Sequence, residues 1–278
     1  MKVAIIGFGF VGKALFHGIK DNVDVFKVDP KLKTSIIDLK NFCPDIIFIC
    51  APTPMGKDGA QDISIINDIF DDIKRYELQS TVVLKSTTLP DKISQLYKVH
   101  NNIVVNPEFL REAHATEDFV NSDLIIFGGK KEDCQKVSSF YKKYTSCIQD
   151  NHIFTDPISA SLIKYAINCF LSTKVIFFNQ LKEIFEATDA QNGWDEFVNI
   201  ISLDKRIGDS HMQVPGPDGR LGFGGACFPK DTRAIISLAE NMNLEFDLLK
   251  EVVNINNNIR CNYNIETERE REQNIVFE

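Results

Sequence analysis

A run of four apolar residues at 3–6 (VAII) leads straight into GFGFVG at 7–12, which opens a helix-like stretch at 11–19. Few short patterns constrain a fold more. A glycine turn set between a buried strand and a helix requires a βαβ unit, and with it a parallel sheet. The three glycines have separate uses. Gly7 permits the tight turn, Gly9 lets a pyrophosphate approach the backbone, and Gly12 allows close packing of helix on strand. The helix N-terminus, with Phe8, Phe10 and Val11 between the glycines, turns free N–H groups towards phosphates. Asp29 ends the second apolar run, where a carboxylate accepts from an adenosine ribose hydroxyl; an acid there favours NAD over NADP. Glycines that merely shape a turn are the bland alternative, and strand, helix and acid together weigh against it.

The pattern continues. Apolar or β-branched runs at 23–28, 46–50, 81–84 and 103–105, then 124–127 and 153–154, read as buried strands. Helical stretches at 63–76, 90–99 and 132–144 lie between them. This alternation predicts a Rossmann-like, doubly wound parallel α/β sheet with right-handed crossovers over residues 1–155. From about Pro157 the character changes. Residues 158–187 hold no Pro or Gly and predict one long helix; 204–226 form a glycine-rich loop, and helical patterns resume at 229–241 and 246–259. An all-helical central domain over 156–262 is expected, then a charged tail at 263–278 that is frayed or weakly helical.

Charge narrows the function. Lys plus Arg number 31 against 39 Asp plus Glu, a formal −8, which argues against nucleic-acid binding through a basic surface. The seven cysteines are dispersed with no Cys-x-x-Cys pair, so reduced thiols are expected, with neither a disulfide framework nor a metal site. No signal peptide precedes the first strand and no uninterrupted apolar run looks long enough to span a bilayer. A cytoplasmic protein without membrane contact is the expectation.

Several residues carry chemistry. Cys227 lies in GFGGACFPKD at 222–231, where Pro229 suits a first helical position and puts the cysteine just ahead of a helix N-terminus. The helix end and Lys230 would both favour thiolate, and Gly224 and Gly225 would leave a substrate room to reach it. The other six cysteines are read as inert. Lys164 and Asn168, four apart on the long helix, share a face that its apolar neighbours make buried, so the lysine needs an anionic partner. NPEFLRE at 106–112 follows the fifth strand, at the sheet end where ligands gather; were it helical, Glu108 and Glu112 would share a face. A solvated acidic turn is the competing reading. Thr53 in APTP and Thr87 in KSTTLP follow the third and fourth strands, where their hydroxyls would bind cofactor or water, or cap helices.

Together these segments, with KYAINCFLSTKVIFFN at 164–179, DKRIG at 204–208 and VPGPDGRLGFGGACFPKDT at 214–232, resemble the UDP-glucose/GDP-mannose dehydrogenase family. The resemblance runs in family order to about Arg260 and is strongest to the UDP-glucose branch. It implies an NAD-dependent, four-electron oxidation of a nucleotide sugar from C6 alcohol to carboxylate, UDP-glucose being the first choice. By this resemblance Cys227 is the nucleophile that carries a thiohemiacetal and then a thioester. Glu108 helps activate the hydrolytic water, and Lys164 and Asn168 hold the substrate oxygen. Asp231 works with the lysine and a water that Thr87 also binds. Glu112 and Lys230 are cofactor-side contacts; Phe109, Leu110, Gly222, Phe223, Gly224 and Gly225 approach the substrate. Gln180 stands where members often carry Glu.

The family continues into a further α/β domain, whereas this sequence stops about 50 residues past Cys227. A form lacking that domain, or completed by a separate chain, is therefore expected. A homodimer through the long helix is expected as well. The rivals are the same chemistry on GDP-mannose or a UDP-N-acetyl hexosamine, and a catalytically silent NAD-binding dimerisation module.

Overall fold

The structure is a computed structural model that describes residues 1–56, 59–100, 102–263 and 267–278. It divides into two compact units, 1–53 with 61–164, and 54–60 with 165–278.

The first unit begins β1 (Lys2–Ile6), α1 (Phe10–Gly18), β2 (Asp24–Val28), α2 (Leu39–Phe42) and β3 (Ile46–Ile49). It continues α3 (Ser64–Arg75), β4 (Thr81–Leu84), α4 (Pro90–Val99), β5 (Ile103–Val105) and α5 (Ala115–Val120). β6 (Ile126–Gly128), α6 (Lys131–Tyr144), β7 (Ile153–Thr155) and the start of α7 (Pro157–Glu186) complete it. The strands form one sheet in the order β2-β1-β3-β4-β5-β6-β7. Each central strand sends alternate residues to opposite faces, because side chains on a strand repeat every two positions. Val3, Ile5, Ile46, Phe48 and Val83 join one apolar cluster, whereas Ala4, Ile6, Ile47, Ile49, Val82 and Leu84 join the other. Both faces are therefore covered by helices, as the continuous apolar runs require. In α3, Ile66, Ile69, Phe70 and Ile73 are buried at helical spacing. Pro90 starts α4, where its missing N–H costs nothing.

The doubly wound expectation holds, with one correction. β5 and β6 pair antiparallel, through Val105 and Gly128, so β6 and β7 run against the other five strands. Residues 106–125 connect β5 to β6 with only the short α5, and an antiparallel neighbour needs no long crossover helix.

The second unit holds the remainder of α7 with α8 (Trp194–Ser202), α9 (Phe228–Asn241), α10 (Asp247–Arg260) and α11 (Glu268–Glu272). α8 was not foreseen; Trp194, Val198 and Ile201 pack on a small core of Phe178, Met212 and Val214. α7 has the length and composition that a membrane span would need, but polar and charged residues interrupt its apolar run. It carries Lys164, Asn168, Ser172, Lys174 and Asn179, all buried, as the core helix of a water-soluble domain does. Each has a polar partner within its own unit.

The tail is also better ordered than its charge suggested. Glu270 is wholly buried, paired with Arg260 of α10 at 3.7 Å and accepting from Gly225 N at 3.1 Å. Ile275 and Gln273 are buried too, Asn274 donates to Met55 O, and Arg233 donates to Val276 O.

Candidate active site

The order of strands reverses where β1 lies between β2 and β3, the place where such sheets gather ligands. Gly7 follows β1 there, with φ +89°, and a Cβ on it would sit 2.8 Å from the backbone of Cys50 and Ala51 after β3. No other residue fits that turn. A Cβ on Gly12 would lie 2.2 Å from Gly7 O, so α1 packs directly on the turn. At Gly9 the situation is opposite: a Cβ would meet no described atom within 4 Å. Gly9 caps α1 without a side chain, and the first turn of α1 carries no acidic residue. An open glycine before an uncapped helix end fits the pyrophosphate of a dinucleotide.

Asp29 directly follows β2, with both oxygens already accepting from backbone, Oδ2 from Phe8 N at 2.7 Å and Oδ1 from Lys31 N at 2.8 Å. Each oxygen retains a second lone pair for a ribose hydroxyl. Thr53 and Thr87 meet across the loops after β3 and β4. Thr53 Oγ1 donates to Thr87 O at 2.8 Å, as does Gln61 Nε2. The Thr53 hydroxyl thus fastens one loop to the other and caps no helix.

Residues 106–111 are irregular, so Glu108 and Glu112 do not share a helical face. Asn106 prevents helix here: its N–H bonds Leu84 O, and its Nδ2 reaches Ile126 O at 2.8 Å. Glu112 is exposed, in a short 3-10 turn. Glu108 is buried and forms an ion pair with Lys164 of α7, Nζ to Oε1 3.1 Å. Its Oε2 accepts from Leu110 N at 2.7 Å, and the Lys164 ammonium sits 5.4 Å from the centre of the Phe109 ring. The anionic partner demanded by a buried lysine is therefore this carboxylate.

One turn further along α7, in the second unit, Asn168 Nδ2 donates to Asp231 Oδ2 at 2.6 Å. The other Asp231 oxygen receives the Lys230 ammonium, and both residues are buried. Lys230, expected on the cofactor side, is thus engaged by its neighbour. Cys227 is half-buried and is the N-cap residue of α9, with Pro229 in the first turn, as its surroundings implied. Burial drives four other thiols up: Cys50 and Cys169 to about 12, Cys134 to about 11, and Cys147 upwards, which leaves them inert at neutral pH. No disulfide joins any of the seven cysteines among the described residues.

The glycine-rich loop before Cys227 is held by two asparagines that sequence reasoning missed. Asn179 accepts from Gly222 N at 2.9 Å, and Asn256 bonds both N and O of Phe223, at 2.7 and 3.0 Å. Gly222, with φ +71°, passes so close that a Cβ would lie 2.6 Å from Asn256 Oδ1. The open space expected above Gly224 is filled: a Cβ there would collide with the Arg260 guanidinium. Of Gly222, Gly224 and Gly225, the last keeps an open side, with no described atom within 4 Å of a Cβ. Asn179 had a signal, being a polar residue inside an apolar helix. Arg260 and Glu270, far along the chain from the loop, had none.

The comparisons with known proteins decide the family. Residues 28–145 match the NAD binding domain of the UDP-glucose/GDP-mannose dehydrogenase family, and residues 158–258 match its central domain. The chain belongs to the UDP-glucose/GDP-mannose dehydrogenase family. A UDP-glucose 6-dehydrogenase of Bacillus subtilis is 35% identical over 224 residues, covering 77% of this chain and 49% of the relative. One of Rickettsia felis is 34% identical over 221 residues, covering 76% and 47%. The chain thus spans about half the length of these curated relatives. A solved UDP-glucose dehydrogenase from Pyrobaculum islandicum superposes with a TM-score of 0.75 at 26% identity, over 92% of this chain and 67% of that one. For a member of this dehydrogenase family, the first-match position of 28 leaves the glycine turn outside the family match, so its assignment rests on the geometry above.

Proposed function

We propose that this chain is an NAD-dependent nucleotide-sugar 6-dehydrogenase that oxidises UDP-glucose to UDP-glucuronate. The observation that carries the reading is Cys227 at the N-cap of α9, in a loop fastened by Asn179 and Asn256. A nucleophile on a rigid turn ahead of a helix N-terminus is what a covalent route through an aldehyde needs. NAD, when bound, supplies the hydride acceptor for both oxidations.

In this reading Gly7, Phe8, Gly9, Phe10, Val11 and Gly12 hold the pyrophosphate, Asp29 the ribose, and Thr53, Thr87, Glu112 and Lys230 the remainder of the cofactor. The C6 alcohol loses a hydride and a proton and becomes an aldehyde. Cys227 sulfur adds to the carbonyl carbon and the oxygen takes a proton, giving a thiohemiacetal. Loss of a second hydride and that proton gives the thioester. Glu108 then takes a proton from water as it adds, the C–S bond breaks, and the carboxylate leaves with the thiol restored. Overall one alcohol and one water yield one carboxylate, two reduced cofactors and three protons. Lys164 and Asn168 steady the negative oxygen at each carbonyl stage, with Asp231 and a Thr87-bound water completing proton transfer. Phe109, Leu110 and Gly222, Phe223, Gly224 and Gly225 border the sugar.

A homodimer through α7 belongs to the same proposal. Leu162, Ala166, Phe170, Phe177 and Ile184 form an exposed stripe at helical spacing, with Phe170 67% and Phe177 58% exposed. One observation favours the rival reading, a silent cofactor-binding module: Arg260 fills the space above Gly224. The experiment separates them. Purified protein is incubated with NAD and UDP-glucose, GDP-mannose or a UDP-N-acetyl hexosamine, and NADH absorbance is followed. Two NADH per UDP-glucose, with the second lost in Cys227→Ala, is the expected result. Cofactor binding without turnover on any sugar would establish the silent module.

A further inference from the structure

Lys85 directly follows β4 at the carboxyl edge of the sheet and is buried, with no role in the proposed chemistry. Its ammonium donates to Asn106 Oδ1 at 2.9 Å and to Tyr141 OH at 3.3 Å. Tyr141 OH in turn donates to Asn106 Oδ1 at 2.7 Å, so three side chains from β4, the loop after β5, and α6 close a buried ring. Lys85, Asn106, Glu108 and Tyr141 line one small cavity of about 20 Å³, room for roughly one water. The titratable groups that face Lys85 are Cys50 after β3, Glu108, Cys147 after α6, and Lys164 of α7. Burial keeps both thiols protonated, which leaves Glu108 as the anion and Lys164 as a second cation. One buried carboxylate therefore has two lysines in its surroundings, one bonded to it and one lining the same cavity. Lys164 bonds it directly, and Lys85 acts across the cavity and through the Asn106 end of its own loop.

We propose that Lys85 is a positioning residue for Glu108. It is the counter-charge that remains with the carboxylate when Lys164 turns to the substrate oxygen, and its grip on Asn106 fixes the backbone that carries Glu108. This rests on the proposed role of Glu108 as the base in thioester hydrolysis. The chemistry explains why one lysine would not suffice. A Lys164 that stabilises a developing oxyanion can no longer neutralise Glu108, and a buried carboxylate without a cation is costly. Burial is the largest influence on Lys85 and lowers its pKa, Lys164 lowers it further, and Glu108 opposes both.

Two measurements test this independently. The first needs no turnover. The Lys85 ε-methylene signal, assigned by its loss in Lys85→Met, is titrated by NMR in the parent, in Glu108→Gln and in Lys164→Met. Its midpoint is expected to fall in Glu108→Gln and to rise in Lys164→Met. An unchanged midpoint in both would overturn the proposal, because the three charges would then be uncoupled. The second uses the substrate. Lys85→Met should slow release of the Cys227 adduct roughly tenfold, as a loss of about 1.4 kcal/mol would, while leaving its formation near the parental rate. Lys85→Arg should recover part of that loss. Equal slowing of both steps, or none, would overturn it. Should Lys85→Met not fold, the near-isosteric Asn106→Asp, which gives Lys85 a carboxylate of its own, is expected to show the same selective slowing. If the parent turns over no sugar, the functional reading fails and the NMR arm still decides the coupling.

Discussion

The two glycines flanking Phe10 and Val11 should respond to alanine in opposite ways. A Cβ on Gly12 would stand 2.2 Å from Gly7 O, and the first atoms behind it are also backbone or the Ile5 side chain. To reach an ordinary contact, α1 must back away by roughly 1 Å, which a close-packed interior resists. Overpacking of this kind costs about 1–3 kcal/mol, or roughly 2–12 °C in melting temperature for a chain of this size. Gly9→Ala meets no described atom within 4 Å, and Gly9 has φ −74°, which alanine tolerates. Its stability should therefore stay within about 1 kcal/mol of the parent, the scale of an N-cap change. The methyl would instead occupy the space of the pyrophosphate and weaken NAD at least about tenfold, or 1.4 kcal/mol. Calorimetric melting and NAD titration of both variants give four numbers. Gly9→Ala with parental NAD affinity, or Gly12→Ala with parental melting temperature, would refute the assignment.

Arg260→Met removes a buried cation bonded to Asp218 at 2.7 Å and leaves Glu270 buried without it; about 3–5 kcal/mol should be lost by urea unfolding, part of it regained in Arg260→Met/Glu270→Gln. An unchanged midpoint would mean that the tail is not docked in solution. Burial lowers the His152 pKa below its unfolded value, against the opposing pull of Gln149 O, which accepts from Nε2, while Nδ1 accepts from Ser138. Such a group binds more protons unfolded, and its contribution is lost as pH falls through and below about 6.5. The melting temperature should drop across that window, less steeply in His152→Gln; equal slopes would exclude it. Phe170→Glu/Phe177→Glu should shift the sedimentation coefficient from dimer to monomer with secondary structure intact, and a parental value would remove α7 from the interface.

The features legible in the sequence were those encoded by near neighbours. Strands such as IIFI at 46–49 are apolar throughout because both faces are covered, and Pro229 marks the start of α9 beside Cys227. The buried lysine at 164 called for an anion, and Glu108 answers it. What escaped depends on residues far apart in sequence. Asn106 spends its amide on β6 and so withholds 106–111 from helix. Arg260 crosses 36 positions to fill the space beside Gly224, and Glu270 reaches Gly225 from 45 positions away. Charge alone made that tail look solvated, although the buried Glu270 carboxylate finds an arginine and a backbone N–H.

The most direct test weighs the protein itself. Glu108→Gln is mixed with NAD and UDP-glucose, quenched in acid, and measured intact and as peptides by mass spectrometry. A retained nucleotide-sugar acyl group on the peptide containing Cys227, absent when Cys227 is also alanine, is the predicted result. A Glu108→Gln protein that turns over as fast as the parent and carries no added mass would contradict the covalent route.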